Sequence, residues 1–214
     1  MRNGAGSRWR RQMPLWLAKQ PLVLASKSAV RHAILRDAGI PVEVEPADVD
    51  ERGIEQRATT SDPGEVAALL AREKARAVAA RQPGRLVLGA DQTLALGEQR
   101  FSKPADAAAA REQLKALCGR THELHTAIAL VRNGAVAFEH REVARLTMRA
   151  VSDVFLDDYL AAMGTAVTTS VGGYQLERIG IQLFERVEGD HFVILGLPLL
   201  ALLQHLRQAG FLAA

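Results

Sequence analysis

The stretch LVLASKSAVRHAIL, residues 22–35, joins a short apolar run to an amphipathic helix. A buried strand that passes directly into a helix is typical of an α/β fold. Ser26, Ser28 and Arg31 stand at this junction, where a helix start offers unpaired N–H groups and partial positive charge. The combination suits a phosphate group. The alternative is that Ser28 only caps the helix and Arg31 only lies on a solvated face.

Composition and charge narrow the class of protein. The chain has 214 residues, 48% of them hydrophobic, which is enough for one substantial core. Cys118 is the only cysteine, so no intrachain disulfide is possible and a reducing, cytoplasmic location is expected. The apolar stretch 193–203 is too short to cross a bilayer, so we expect no membrane partner. A net charge of only +3 gives no indication of a nucleic-acid surface.

The start of the chain differs in character from the rest. Residues 1–20 are basic but lack an apolar segment, so they do not predict a secretory signal. We expect residues 1–20 to form a poorly ordered extension and residues 21–214 to form a single domain. A homodimer is compatible with this organisation, although the sequence does not determine the oligomeric state.

Strands and helices alternate along the chain and predict a mixed sheet flanked by helices. Helices are expected at residues 29–38, 63–81, 106–117, 152–163 and 198–210. Strands are expected at residues 85–91, 124–131 and 135–148, with a hairpin around Gly97 and a second pairing of residues 181–187 with 192–195. Asn133-Gly134 is a strong hairpin signal between the two long strands.

Several common catalytic motifs are absent from the sequence. It contains no GxxxxGK[ST] phosphate loop, no GxGxxG dinucleotide motif and no GxSxG nucleophile elbow. His122 and His125 fall three residues apart on a predicted strand, so their side chains point to opposite faces and cannot share one metal ion.

Four charged residues remain as candidates, each with a simpler alternative. Asp91 follows an apolar strand, where ligands of α/β sheets bind, or it only caps a turn. Lys103 and Glu51 lie in predicted loops, where charged residues are most often only solvated. Lys74 flanks the apolar stripe of a helix, and a cation in that position needs a partner. Together with Arg31, the lysines could neutralise a polyphosphate, while the carboxylates could hold a hard divalent cation.

At this level of detail the chain resembles the Maf family of nucleoside triphosphate pyrophosphatases. The resemblance covers residues 22–210 and is carried by eight short motifs in sequence order. The motifs are SKSAVR (26–31), DVDE (48–51), LAREKA (70–75), LGADQT (88–93), SKP (102–104), LCGRTHELHT (117–126), GGYQLERIGIQLFERVEGD (172–190) and LGLPL (195–199).

The resemblance implies a fold and a reaction. It implies an elongated mixed sheet with two lobes and a central cleft, as in inosine triphosphate pyrophosphatases. Family members hydrolyse a nucleoside triphosphate between the α and β phosphates, giving a monophosphate and pyrophosphate, and use Mg²⁺, Mn²⁺ or Co²⁺. Several remove modified nucleotides, and some have been linked to arrest of cell division and septum formation.

The family's site residues can be placed on this sequence. Those that match its substrate-binding positions are Ser26, Ser28, Arg31, Lys74 and Lys103. Glu51 and Asp91 match its metal-binding acids, and Asp91 also matches the proton acceptor that activates water. This assignment agrees with the chemistry, because cations stabilise charge on phosphoryl oxygens and a carboxylate can orient the attacking water.

Three departures bear on the substrate. Val30 stands where many members have Arg and where the 7-methyl-GTP branch often has an aromatic residue. Gln92 and Glu177 resemble the 7-methyl-GTP branch more than the dTTP and UTP branch, which tends to have Thr and Gln there. A Glu carboxylate can accept hydrogen bonds from a guanine, which also favours a purine.

Two other functions compete with this interpretation. One is a nucleotide-binding regulator of division without significant catalysis, which would not need both Asp91 and Glu51. The other is a nucleic-acid-binding protein, suggested by the basic start of the chain. It is disfavoured because only two Trp and two Tyr are available for stacking.

Overall fold

A seven-stranded mixed sheet forms the centre of the protein, in a computed structural model that describes residues 15–213. The strand order is β2-β1-β3-β5-β6-β7, with β4 paired to β3. Strand β1 runs parallel to β2 and β3, and the other pairs are antiparallel. The strands are β1 (Leu22–Leu24), β2 (Val42–Val44), β3 (Val87–Leu96), β4 (Gln99–Phe101), β5 (Thr121–Arg132), β6 (Ala135–Met148) and β7 (Phe184–Glu188).

Helices cover the sheet and begin where the sequence places their caps. Asp62, Asp106 and Ser152 each accept a hydrogen bond from a backbone amide three residues later. The helices are α1 (Ala29–Asp37), α2 (Glu51–Arg57), α3 (Pro63–Ala79), α4 (Ala107–Leu117), α5 (Asp153–Met163), α6 (His191–Ile194) and α7 (Leu199–Gln208). The expected mixed α/β class is therefore confirmed.

The long strands connect separate clusters of buried residues. On one face of β3, Leu88 and Ala90 pack in a cluster with α1 and α7, whereas Leu94 and Leu96 pack in a second cluster with α4 and α5. A third cluster lies between α3 and the other face of the sheet. The middle of β3 is consequently the boundary between the two halves of the core.

One edge of β3 has a gap at this boundary. Strand β1 pairs with β3 only at residues 87 and 88, and β4 pairs with it only at residues 94–96. Among the described strands, residues 89–93 are paired on the β5 side alone. No described strand covers this segment on the other edge of β3.

Gly89 allows α3 to lie unusually close to the same segment. A Cβ atom at this position would overlap the carbonyl oxygen of Ala71 and crowd the backbone nitrogen of Ala75. Both residues belong to α3, so only glycine permits this distance between helix and strand. Lys74 lies between the two alanines and is thereby brought to the middle of β3.

Two local predictions were wrong. Asp91 does not end its strand: β3 continues to Leu96, because residues 87–95 pair with β5 and residues 94–96 also pair with β4. Residues 192–195 are not a strand either. Asp190 accepts hydrogen bonds from the backbone amides of Phe192 and Val193 and so starts the short helix α6, while β7 pairs with β6 instead.

The first and last described segments of the chain pair with each other beside the core. Trp16 forms an isolated bridge with Leu212, and the Leu17 amide donates to the Phe211 carbonyl at 2.8 Å. Residues 15–20 of the expected extension therefore contact the body of the protein, while residues 1–14 lie outside the described residues; the boundary at residue 20 stays a prediction. Across residues 15–213, none of the helices has the length and apolar character that a membrane span requires.

A buried histidine on β5 makes stability dependent on pH. His122 is only 1% exposed, its Nε2 lies 2.7 Å from the Tyr174 hydroxyl, and its Nδ1 has no hydrogen-bond partner among the described residues. Burial lowers the pKa of this imidazole from 6.5 to about 4. As predicted, His122 and His125 lie on opposite faces of the strand.

The first test measures unfolding at several pH values. Below pH 6.5 the unfolded chain binds a proton at His122 that the folded protein takes up only near pH 4, so stability falls as pH drops through this range. The shift corresponds to about 3 kcal/mol. In urea unfolding, His122→Gln should reduce this loss, whereas the exposed His191→Gln should leave it unchanged. Equal acid sensitivity in the wild type and His122→Gln would contradict the assignment.

Candidate active site

A cleft of about 1000 Å³ opens at the gap in the edge of β3. Its walls come from the start of α1, from α2, α3 and β4, and from the segments around residues 169–177 and 194–196. The predicted site residues that line it are Ser26, Ser28, Val30, Arg31, Glu51, Lys74, Asp91, Gln92, Lys103 and Glu177. These ten residues come from six of the eight quoted motifs, and the other two motifs also contribute lining residues; the role of each residue stays a prediction.

The two serines form the start of α1. The Ser28 hydroxyl accepts from the Arg31 amide at 3.3 Å, and the Ser26 hydroxyl accepts from the Ser28 amide at 3.2 Å. Ser28 is therefore an N-cap, as the simpler alternative held. Since both hydroxyls act as acceptors in these bonds, their own O–H groups remain available to donate to an anion.

Arg31 closes the gap beside β3. Its Nη1 donates to the carbonyl of Ala90 at 2.9 Å and to the Ser26 hydroxyl at 3.2 Å, and its Nε donates to the carbonyl of Gly196 at 2.7 Å. The guanidinium thereby satisfies a carbonyl at the open edge of β3 and ties it to the loop after α6. Burial lowers the pKa of Arg31, and the nearby carboxylates of Asp91 and Glu51 oppose this effect. Only part of its donor capacity is left for a phosphate.

Lys74 joins two carboxylates at the floor of the cleft. Its Nζ lies 2.5 Å from Asp91 Oδ1 and 2.9 Å from Glu51 Oε1. Lys74 and Asp91 are 9% and 8% exposed, so this cation has the partner that its place beside an apolar stripe requires. Much of the Lys74 charge is therefore balanced by carboxylates before any phosphate binds.

Asp91 combines burial with nearby positive charge. Burial raises the pKa of its carboxyl group above the ordinary value, while Lys74 and Arg31 oppose the rise. A carboxylate with a raised pKa is a better proton acceptor than an exposed one. The geometry accordingly suits a general base directed into the cleft.

Glu51 and Asp91 also fit a hard divalent cation. Glu51 is the first residue of α2, not a loop residue as the sequence suggested, because the Asp50 side chain accepts from the Gly53 amide and caps that helix. Asp91 Oδ2 and Glu51 Oε2 accept no hydrogen bond from residues 15–213. Magnesium is commonly held by one or two carboxylates together with substrate phosphates. No cluster of three or more His, Cys, Asp or Glu side chains with metal-binding geometry occurs in the described part of the chain, so a phosphate would have to complete the site.

Gln92 points to the opposite face of β3 from Asp91. Its Nε2 donates to the carbonyls of Val193 and Ile194 at 3.0 and 3.1 Å and to the Thr126 hydroxyl at 2.8 Å. These contacts determine the orientation of the amide, because the carbonyls can only accept. Gln92 lines the cleft, and its Oε1 forms no hydrogen bond among the described residues, so the side chain has one acceptor left.

Glu177 and Val30 line the cleft at its border with a second cavity. Glu177 is exposed, and within residues 15–213 its carboxylate forms no ion pair or hydrogen bond. Val30 is half-buried on the first turn of α1 and offers only an apolar surface. The aromatic stacking surface that is common in the 7-methyl-GTP branch is therefore absent at this position.

The cleft contains further cations that the sequence analysis missed. Lys27, Arg52 and Arg100 line it in addition to Lys103, which is exposed and forms no ion pair within the described chain. Arg100 lies 3.7 Å from Glu55 of α2, which connects two walls of the cleft. The three missed cations each lie within four residues of a predicted site residue along the chain. This proximity was the signal that the sequence offered for them.

The comparison with known protein families agrees with this arrangement. The family model described as "Maf-like protein" matches residues 21–209. The chain belongs to the Maf family. That assignment confirms the resemblance that the eight motifs indicated.

Related Maf proteins align over almost the whole chain. A nucleoside triphosphate pyrophosphatase of Rhodopseudomonas palustris strain BisB18 is 58% identical over 94% of this chain and 100% of its own length. A 7-methyl-GTP pyrophosphatase of Mesorhizobium japonicum is 51% identical over 89% of this chain and 97% of its own. Among solved structures, a HAM1 protein from Coxiella burnetii aligns with a TM-score of 0.38 and 20% identity, covering 59% of this chain and 72% of that one.

The contacts of Arg31 predict a different phenotype from that of Lys103. Arg31→Ala leaves the carbonyls of Ala90 and Gly196 unpaired, so we expect a loss of about 2 kcal/mol or more in unfolding free energy together with weaker substrate use. Lys103→Ala should weaken substrate use but change stability by less than about 0.5 kcal/mol, because its side chain is exposed. Urea unfolding and substrate titration separate the two effects. If Arg31→Ala is as stable as the wild type, the hydrogen bonds from Arg31 to Ala90 and Gly196 do not contribute to the stability of the fold.

Proposed function

We propose that this Maf protein is a nucleoside triphosphate pyrophosphatase. It hydrolyses the α–β phosphoanhydride to a nucleoside monophosphate and pyrophosphate, and so removes modified nucleotides. The observation that carries this proposal is the buried Lys74–Asp91 pair, joined by the more exposed Glu51, in a cleft rimmed by the start of α1. The names of the relatives from Rhodopseudomonas palustris and Mesorhizobium japonicum support the same reaction class.

The phosphates lie between the start of α1 and the lysines. The free O–H groups of Ser26 and Ser28 and the amides at the helix start donate to phosphate oxygens. Lys103 adds a positive charge from the opposite wall. Arg31 acts mainly by holding the loop and the edge of β3 in place, and contributes its remaining donors and its charge.

Asp91 accepts the proton of the attacking water. Lys74 holds this carboxylate at 2.5 Å and keeps it in the orientation that faces the cleft. Glu51 and Asp91 would together hold the divalent cation, for which Mg²⁺, Mn²⁺ and Co²⁺ are the candidates. When bound, such a cation neutralises charge that develops on the phosphoryl oxygens.

The base is read by hydrogen-bond acceptors. Gln92 Oε1 and the Glu177 carboxylate both accept, and neither offers a donor. A guanine presents adjacent N–H donors, whereas thymine and uracil present carbonyls on either side of one donor. This difference favours 7-methyl-GTP or another modified purine over dTTP and UTP. The name of the Mesorhizobium japonicum relative is consistent with this choice.

Other expectations stay predictions. We propose a cytoplasmic enzyme whose partner is its nucleotide substrate, without nucleic acid, and either a monomer or a homodimer. A division regulator that binds nucleotide without catalysis is less well supported, because a binding protein needs no carboxylate buried beside a lysine.

The assignment of Asp91 is tested by removing its charge. Asp91→Asn should lower pyrophosphate release from 7-methyl-GTP with Mg²⁺ by about 10²–10⁴-fold, because an amide cannot accept the proton of the water. EDTA should abolish wild-type turnover, and Mg²⁺ should restore it. The matched control is Asp158→Asn, an exposed position on α5 that should keep full activity. An active Asp91→Asn enzyme would exclude this role.

The choice of base is tested by exchanging the two acceptors. Glu177→Gln together with Gln92→Thr should shift kcat/KM from 7-methyl-GTP toward dTTP by about 1–3 kcal/mol, because a donor then faces the pyrimidine carbonyls. Glu177→Gln alone should produce part of the shift without loosening α6, which Gln92 holds. Glu185→Gln, an exposed glutamate on β7, serves as the control. An unchanged preference in both variants would place base selection in other residues.

A further inference from the structure

A second cavity, of about 460 Å³, opens beside the cleft, and we call it the side pocket. One wall is a single face of α1, formed by residues spaced three or four apart: Val30, Ala33, Ile34, Asp37 and Ala38. The opposite wall is formed by Phe192, Leu195 and Leu199, and Glu177 stands at the mouth.

The side pocket is continuous with the cleft. Val30, Leu195 and Glu177 line both cavities, so a ligand whose phosphates lie at the start of α1 can reach the side pocket without leaving the surface. The two alanines on α1 leave the space that larger side chains would fill. The side pocket is therefore an extension of the nucleotide site.

The lining chemistry is apolar with one available negative charge. Seven of the nine lining residues are hydrophobic. Arg36 holds Asp37 at 2.8 Å, whereas Glu177 has no charged or hydrogen-bonding partner in residues 15–213. An aromatic ring, Phe192, adds a surface that attracts cations. A hydrocarbon group attached to a positively charged ring matches this combination.

We propose that the side pocket receives a hydrocarbon substituent on the nucleobase, so that the enzyme accepts N-alkylated, cationic purine nucleotides with groups much larger than methyl. The proposal rests on the proposed function and deepens it. Alkylation of a purine at N7 places positive charge on the ring next to Glu177 and an apolar group next to Val30 and Leu195. In another protein, an engineered cavity of about 150 Å³ lined by Leu, Ile and Phe binds benzene. The side pocket, at about 460 Å³, therefore has room for a benzyl group.

The experiment compares GTP, 7-methyl-GTP and 7-benzyl-GTP as substrates of the full chain. Wild-type kcat/KM for 7-benzyl-GTP should lie within about threefold of that for 7-methyl-GTP. Ala33→Leu, and separately Ala38→Leu, should lower use of 7-benzyl-GTP by about tenfold or more but change use of GTP by less than about twofold, because only the substituent enters the filled space. His32→Leu adds an apolar side chain to α1 outside the side pocket and should change neither value.

A binding measurement gives a readout independent of turnover. By calorimetry, 7-benzyl-GMP should bind the wild type more tightly than GMP, and Ala33→Leu should remove the difference. Thermal unfolding checks that the variants are folded, and the two alanine positions provide independent tests. If the wild type hydrolyses GTP but rejects 7-benzyl-GTP, or if both filled variants still accept it, the substituent does not enter the side pocket while the proposed function stands. If no nucleoside triphosphate is hydrolysed, the proposed function itself fails. In that case the binding measurement still tests the side pocket, and equal binding of 7-benzyl-GMP and GMP would overturn its assignment.

Discussion

The unpaired edge of β3 between residues 89 and 93 is the constraint on which the site depends. Strand β1 ends before this segment and β4 begins after it, so the sheet is interrupted where the two halves of the core meet. A buried carbonyl that no neighbouring strand pairs needs a donor, and Arg31 supplies one to Ala90 while also holding the loop at Gly196. Because the neighbouring strand is missing, side chains from both faces of β3 reach the same cleft. Asp91 can therefore serve the phosphates and Gln92 the base, although they are adjacent in the chain.

Close packing on the other side of β3 positions the charged group. Gly89 lets α3 approach the strand so closely that Lys74 reaches Asp91, and the start of α2 brings Glu51 to the same nitrogen. A buried carboxylate without this cation would be costly, and a buried lysine without carboxylates equally so. Lys74 and Asp91 therefore stabilise each other in the buried state, while the half-exposed Glu51 adds a second carboxylate to Lys74 at the cleft. Packing and chemistry thus depend on the same few contacts.

The hydrogen-bond acceptors at one end of the cleft are a consequence of the structural role of Gln92. Gln92 holds the carbonyls at the end of α6, and this use of its two N–H groups leaves only an oxygen for the ligand. A structural role therefore determines which hydrogen-bonding group the side chain presents. Glu177 adds a second hydrogen-bond acceptor at the border between the cleft and the side pocket. In the proposed function, the polarity of this end, more than its shape, distinguishes a purine from a pyrimidine.

Local patterns in the sequence were sufficient to predict most helices and strands and ten of the residues that line the cleft. Helix caps such as Ser152 and the hairpin at Asn133-Gly134 depend on neighbouring residues, so spacing alone identifies them. Other features depend on contacts between distant segments. The continuation of β3 beyond Asp91 depends on its pairing with β4 and β5, and β7 takes its place in the sheet by pairing with β6. The starts of α2 and α6, by contrast, depend on the local caps Asp50 and Asp190, which the sequence analysis did not use. The sequence by itself determined the family, because eight motifs occur in order, and it selected ten residues that the fold brings to the cleft. Only the tertiary structure decided what each is free to do: hydrogen bonds across the fold occupy most donors of Arg31 and the amide of Gln92, and a donor that is already bonded is not available to a ligand.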